Sequence, residues 1–278
     1  MTARRSGLAP RSILYFLVYL LTALWLVPII TALITSLRTN DDILMRGFWA
    51  VPNALTLQNF SEAWNRGGLD RYLPNSFIIT LPALAATLFF SSLAGYALSR
   101  FRFRGDRLFL YVFVAGMMLP FQILLLPVFR LTDILHIYNT YWALIVFHTA
   151  FQLGFCTFVL RNYMRTIPGE ILEAARIDGC AEFRIYRQIM LPLTVPAMAA
   201  LATLEFTWIF NDFLWALILI QNDKLKPVTT GLASLQGQYI MDWTVIIAGS
   251  LIATAPTVLI FLVLQRYFIQ GLTLGSGK

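Results

Sequence analysis

The sequence predicts an all-α, polytopic membrane protein, and three observations carry that prediction. The 278 residues are 58% hydrophobic and only 13% charged, roughly half the charged share of a water-soluble domain. The mean hydropathy is +0.70. Six apolar stretches, at 13–36, 75–99, 109–129, 141–160, 193–220 and 244–264, contain no Lys or Arg and make up half the chain. Each reaches the roughly 20 residues a helix needs to cross about 30 Å of hydrocarbon with every backbone amide satisfied internally. The expected organisation is one transmembrane domain over 1–278 with six spans. This composition excludes a secreted disulfide scaffold, a disordered regulator and a soluble enzyme. The two cysteines, Cys156 and Cys180, have no CxxC or Cys/His spacing, so they read as inert thiols and no metal ligands are expected.

The first stretch, 13–36, exceeds the roughly 7–15 residues of a signal-peptide core and has no small-residue cleavage site after it, so it reads as a retained span. Orientation follows from basic residues, because Lys- and Arg-rich loops resist translocation. Segments 1–12, 100–108, 161–192 and 265–278 hold 14 Lys and Arg, whereas 37–74, 130–140 and 221–243 hold 7, balanced by seven acids. Both termini are therefore expected in the cytoplasm. The formal charge of +7 is then an asymmetry across the membrane, and no nucleic-acid partner is expected. The pair Arg4 and Arg5 is part of the same positive-inside charge.

Outside the membrane, 37–74 contains Trp49, Pro52, Asn53, Phe60, Trp64 and the pair Gly67 and Gly68, enough for a small structured cap. Segment 221–243, with Gly231, Gly237 and Trp243, reads the same way. In the third span Pro120 and Pro127 each remove a backbone donor and frame a segment prone to bend, with Gln122 inside it. In the fourth, His148 and Gln152 lie four apart and read as polar groups satisfied between helices.

A six-helix bundle needs only short links, yet 161–192 is 32 residues long and mixes five bases with four acids. It contains a compact helix. Pro168 suits the first turn, Glu170 and Glu173 oppose the positive end of the dipole, and Gly179 suits the stop. Between them Ile171, Leu172, Ala174 and Ala175 form a patch of apolar and small residues. Such a face can seat in a groove of another protein or lie on lipid headgroups. A second amphipathic stretch, with Phe183, Tyr186 and Ile189 at intervals of three, leads to Pro192 and the fifth span.

The run Glu173, Ala174, Ala175, then three residues to Gly179, nine more to Ile189, and then Leu191 and Pro192 resembles the EAA loop of permease subunits of binding-protein-dependent ABC importers. Further segments resemble the carbohydrate branch of that MetI-like family, on the short maltose-type pattern. They are "NSFIIT", "GYALSRFRFRG", "MMLPFQ", "FNDFLWALIL" and "LQRYFIQGLTLG". Tyr186 stands where Phe is usual and Cys180 where Ala is usual. The resemblance implies a cytoplasmic coupling helix around 168–180 that docks in a surface cleft of an ATPase. In it Glu173 makes the polar contact, Ala174 and Ala175 permit close approach, and Gly179 lets the chain turn, with Asp178, Leu191 and Pro192 completing the coupling set. It also implies a second homologous permease subunit, two cytoplasmic ATPase subunits that bind ATP and Mg, an extracytoplasmic solute-binding protein and a sugar substrate. This chain would then bind no cofactor and catalyse no reaction, in a bacterial plasma membrane. The terminal "GSGK" is no phosphate loop, because Leu272 stands where the first Gly is needed.

A charge within a span costs at least about 2.5 kcal/mol, so it should face a cavity or a partner. Glu205 and Asp212 are seven apart on one expected helical face, with Trp208 and Trp215 three residues after each and Asn211 beside them. Carboxylates accept from sugar hydroxyls and indoles cover sugar C–H faces, so this stripe, with Gln122, is a candidate substrate pathway. The alternative is that these groups pack between helices. A secondary transporter driven through Glu205 and Asp212 is the competing function, weakened by the lack of an internal duplication.

Overall fold

The computed structural model describes residues 8–235 and 242–273, and among them all regular structure is helical. Helix α1 spans Leu8–Ser36, α2 Asn40–Arg46, α3 Gln58–Asn65, α4 Leu69–Arg100 and α5 Asp106–Met118. A 3-10 turn at Phe121–Leu124 leads into α6 (Leu125–Ile134), followed by α7 (Tyr141–Thr166), α8 (Gly169–Ile177) and α9 (Glu182–Ile185). A π turn at Tyr186–Met190 joins α9 to α10 (Leu191–Phe210). Helices α11 (Leu214–Leu219), α12 (Val228–Leu235) and α13 (Trp243–Thr273) complete the order. Five helical runs are long and apolar enough to cross a bilayer: Ile13–Ser36, Leu69–Arg100, Tyr141–Thr166, Glu182–Phe210 and Trp243–Arg266.

The bent pair Asp106–Met118 and Phe121–Ile134 supplies a sixth crossing if taken as one span. The angle between its halves is 97°, where a single run over 109–129 is the simplest expectation. The cause is Pro120. It holds Leu119 extended (φ −71°, ψ 126°), because the residue before proline is pushed out of the helical region. Pro127 falls in the first turn of α6, where its missing N–H costs nothing.

The chain forms two compact units, one of residues 1–69 and 234–253, the other of 70–233 and 254–278. In the first, Arg38 is fully buried directly after α1. Its Nε donates to Asp42 Oδ2 at 2.6 Å, and its Nη1 donates to the carbonyls of Gly47 and Phe48 at 3.1 and 3.0 Å. Asn59 on α3 donates to the carbonyls of Ser36 and Arg38 at 2.8 and 2.7 Å. The carbonyls at the end of α1 thus find partners in the loop instead of water. The expected cap over 37–74 is an ordered structure built on a buried cation, but it ends at 68, because α4 already begins at Leu69.

In the second unit two apolar clusters form. One joins Ile79 and Ala83 of α4 to Leu144 and Phe147 of α7 and Trp215 and Leu219 of α11. The other joins Tyr96 of α4 to Leu160 and Met164 of α7, Leu172 and Ala175 of α8, and Met190 and Leu201 at and beyond the π turn. Helix α4 comes close to α7 because Gly95 has no side chain. A Cβ there would lie 3.2 Å from both Arg161 N and Leu160 Cβ, the small-residue contact that membrane helices use in place of a hydrophobic drive.

Candidate functional site

Helix α8 divides its residues sharply between two faces. Leu172 and Ala175 are buried in the second cluster, 1% and 7% exposed. Glu170, Glu173, Ala174, Ile177 and Asp178 are all exposed, at intervals that place them on one side of the helix. Ile177 is 87% exposed, the most conspicuous apolar side chain of the segment. Of the adjacent alanines, Ala174 therefore presents outward and Ala175 anchors inward, which neither spacing nor composition distinguishes.

Both ends of α8 are fixed by backbone chemistry. Pro168 precedes the helix in an extended conformation (ψ 134°) instead of opening the first turn, so α8 starts at Gly169. At the other end Gly179 has φ +79°. Its N–H donates to Arg176 O and the N–H of Cys180 donates to Ala175 O, both at 3.0 Å. This is the Schellman pattern, and it requires a left-handed residue at the position Gly179 fills. Asp178 is the last residue before that turn.

Beyond the turn the chain is tied back. Arg176 Nε donates to Glu182 Oε1 at 2.6 Å, and the Tyr96 hydroxyl donates to Glu182 Oε2 at 2.9 Å. The Tyr186 hydroxyl lies 2.7 Å from Ser92 Oγ on α4, and its ring centroid is 5.4 Å from that of Tyr96. At the other edge Arg100 donates through Nη2 to the carbonyls of Met164 and Ile167. Those carbonyls stand at the C-terminal end of α7, where helix carbonyls lack internal partners. Helix α8 is thus clamped on both flanks to α4.

From Glu182 to Phe210 the chain is one continuous helix. Its register widens at the π turn, where Leu191 N–H reaches back to Tyr186 O. Pro192 explains this, because it has no N–H to give and its ring crowds the carbonyl of the preceding turn. Leu191 and Pro192 therefore sit at the junction that joins the α8 segment to α10.

The stripe expected on a single helix over 193–220 is not brought together. The helix ends at Phe210, and α11 starts at Leu214. Asp212 causes the break by turning its carboxylate onto the new helix. Oδ2 accepts from Ala216 N at 3.0 Å and Oδ1 from Trp215 N at 3.4 Å. A short polar side chain that bonds its own backbone competes with helix continuation. Asp212 Oδ2 is also 3.6 Å from His148 Nε2, so His148 pairs with the break. Gln152 is buried on the same helix.

The remaining stripe residues separate. Glu205 is fully buried and accepts from Cys156 Sγ at 3.2 Å. Trp215 is buried against Phe147, with ring centroids 3.8 Å apart. Trp208 is 47% exposed beside Phe155. Asn211 is exposed and donates to Thr207 O at 2.8 Å. Gln122 is exposed in the 3-10 turn at the elbow after Pro120. Sequence reasoning missed the Glu205–Cys156 contact and the clamp at Glu182; each joins residues far apart in the chain. The terminal "GSGK", Gly237 and the pair Arg4 and Arg5 lie outside the described residues.

Comparison with known proteins agrees with this architecture. Residues 87–273 match the family described as binding-protein-dependent transport system inner membrane component. The chain is 36% identical over 253 residues to the probable ABC transporter permease protein YurM of Bacillus subtilis, covering 90% of this chain and 83% of the relative. It is 36% identical over 254 residues to the arabinooligosaccharides transport system permease protein AraQ of Halalkalibacterium halodurans, covering 90% of each. In fold it is similar to a chain of a bacterial ABC transporter involved in import of the acidic polysaccharide alginate. The TM-score is 0.84 at 21% identity, over 96% of this chain and 99% of that one. With five helices apolar and long enough to cross a bilayer, a bent pair between the second and third of them, a short helix set on the ends of α4 and α7, and a family match over 87–273 that covers that short helix, the chain belongs to the inner-membrane permease components of binding-protein-dependent ABC transport systems.

Proposed function

We propose that this chain forms half of the membrane pathway of a sugar importer and that α8 is its coupling helix. One observation carries the reading: α8 buries Leu172 and Ala175 in the bundle and leaves Glu173, Ala174 and Ile177 free on its other face. A connector would not need an outward face of this kind on a helix held at both flanks. A cytoplasmic ATPase that bound ATP and Mg would seat that face, and nucleotide-driven closure would move α8 with α4 and α10 as one body. Glu173 would supply the polar contact, and Gly179 with Asp178 the turn. Hydrolysis belongs to that partner, and this chain carries out no chemistry itself.

Sugar is supported by the relatives' descriptions, which include arabinooligosaccharides for AraQ and diacetylchitobiose for NgcG of Streptomyces coelicolor, 30% identical over 269 residues. A second permease subunit would complete the path. Trp208, Asn211 and Gln122, the exposed members of the expected set, are its proposed lining in this chain. Glu205, Asp212 and Trp215 are proposed to hold the bundle in shape. Met45, Trp49 and Val51, 87%, 80% and 77% exposed in the 37–74 cap, are the proposed contact for a solute-binding protein. The charge asymmetry supports a cytoplasmic location for both termini. Ion-coupled transport gains no support, because Glu205 is engaged by Cys156 while Asp212 is engaged by the amides that open α11 and by His148.

The test is reconstitution of the complete transporter with Glu173→Lys. The expected result is normal assembly of the permease pair and loss of substrate-stimulated ATP hydrolysis. Full stimulation in that variant overturns the assignment.

A further inference from the structure

From the last residue of α4 the chain reads Arg100, Phe101, Arg102, Phe103, Arg104, Gly105, Asp106, Arg107, and all of these but Gly105 line an open cleft of about 600 Å³. Arg161 and Arg165, one turn apart on the last turns of α7, line the opposite wall. Six guanidinium groups therefore converge on one concavity that contains a single acid, Asp106.

Two of the six have structural work. Arg100 holds the carbonyls of Met164 and Ile167, and Arg161 Nε donates to Leu98 O at 3.2 Å. The other four, Arg102, Arg104, Arg107 and Arg165, are exposed, and among the described residues none has a carboxylate within ion-pair distance. Like charges brought together without counter-charge repel, so an arrangement of this kind favours an anion between them. Planar guanidiniums select phosphate, which they grip through paired N–H groups.

The neighbours indicate what carries the phosphate. Phe101 and Phe103, 38% and 42% exposed, alternate with the arginines along the same cleft. Leu108 and Phe109, 65% and 55% exposed, follow at the start of α5. Apolar rings interleaved with cations suit a ligand that is anionic at one end and hydrocarbon at the other, placed where helices leave the bilayer. We propose that this cleft binds the phosphate headgroup of an acidic phospholipid, seated by Arg102, Arg104, Arg107 and Arg165, with Phe101 and Phe103 against its glycerol and acyl region.

The test titrates the purified full chain in neutral detergent with dioleoyl-phosphatidylglycerol and reads one-lipid occupancy by native mass spectrometry. Arg102→Gln with Arg104→Gln is expected to weaken binding by about tenfold or more, at roughly 1 kcal/mol per basic residue near a charged lipid. Arg184→Gln with Arg187→Gln removes the same charge from exposed positions outside the cleft and is expected to leave binding unchanged. If the first variant fails to fold, Arg104→Lys and Arg104→Gln separate charge from structure, with the second expected to lose more affinity than the first. Equal losses in the cleft variant and in the charge-matched control overturn the proposal. So does displacement of the lipid by millimolar inorganic phosphate, which would assign the cleft to a soluble anion.

Discussion

The Tyr96 hydroxyl, near the end of the second span, donates to Glu182 Oε2 at 2.9 Å, although the two residues are 86 apart in the chain. The other Glu182 oxygen accepts from Arg176 on α8 at 2.6 Å. One carboxylate thus joins a membrane helix to the segment that would meet a motor protein. Movement of α8 without α4 would have to break this junction, together with the burial of Leu172 and Ala175.

Tyr96→Phe removes the hydroxyl and keeps the ring against Tyr186. The expected cost is about 1 kcal/mol, too small to unfold the bundle. Because Arg176 and Glu182 are 40% and 42% exposed, their ion pair contributes at most about 1 kcal/mol. A double-mutant cycle with Glu182→Gln, read by thermal denaturation in detergent, is expected to give a non-zero coupling energy. In the reconstituted transporter the double variant should hydrolyse ATP with less transport per turnover.

Gly179→Ala places a Cβ on a residue with φ +79°. Nothing lies within 4 Å of that Cβ, so the cost is conformational, about 1–2 kcal/mol. Gly179→Pro is worse, because proline is fixed near φ −65° and lacks the N–H given to Arg176 O. Hydrogen exchange at the Cys180 amide is expected to accelerate in the alanine variant and more in the proline variant, while amides within α7 keep their protection.

The proposed lining separates from the proposed scaffold in uptake assays. Trp208→Ala and Asn211→Ala are expected to lower uptake on the order of fivefold at unchanged expression. Glu205→Gln keeps an acceptor for Cys156 Sγ and is expected to leave uptake near normal. Loss of uptake in Glu205→Gln, with Trp208→Ala normal, would reverse the assignment.

In the 37–74 cap the Arg38 guanidinium beside Asp42 holds its carboxyl below the ordinary carboxylate range. A carboxyl lowered on folding stabilises fully above its unfolded value, about 4, and loses that contribution as pH falls below it. Limited proteolysis with an acid-active protease should therefore cut 37–66 faster as pH drops below about 4. Asp42→Asn is expected to be cut quickly already above a pH of about 4 and to lose that acid response, since the buried Arg38 then lacks its counter-charge at every pH.

Much of this was legible in the sequence, and the reasons for success and failure are physical. A bilayer forces long uncharged runs, so the spans could be read from composition. Gly179 was legible because a left-handed stop leaves few alternatives. Ala174 and Ala175 were not distinguishable, since the sides of α8 are set by where Leu172 and Ala175 find Leu160 and Met164. The break at Asp212 was missed because "FNDFLWALIL" has apolar residues enough to continue a helix. Only the capture of two amides by its carboxylate ends the helix there. The elbow at Pro120 was readable as a bend, but not its 97° angle.

The most direct test of the lever reading is photocrosslinking from Ile177, the 87% exposed residue of α8, in the assembled transporter in native membranes. The account predicts that a photoreactive residue at 177 captures the ATPase subunit, and that one at the buried position 172 captures only the permease itself. Capture of lipid alone from 177 and from 174, in complexes that still hydrolyse ATP in response to substrate, would contradict it.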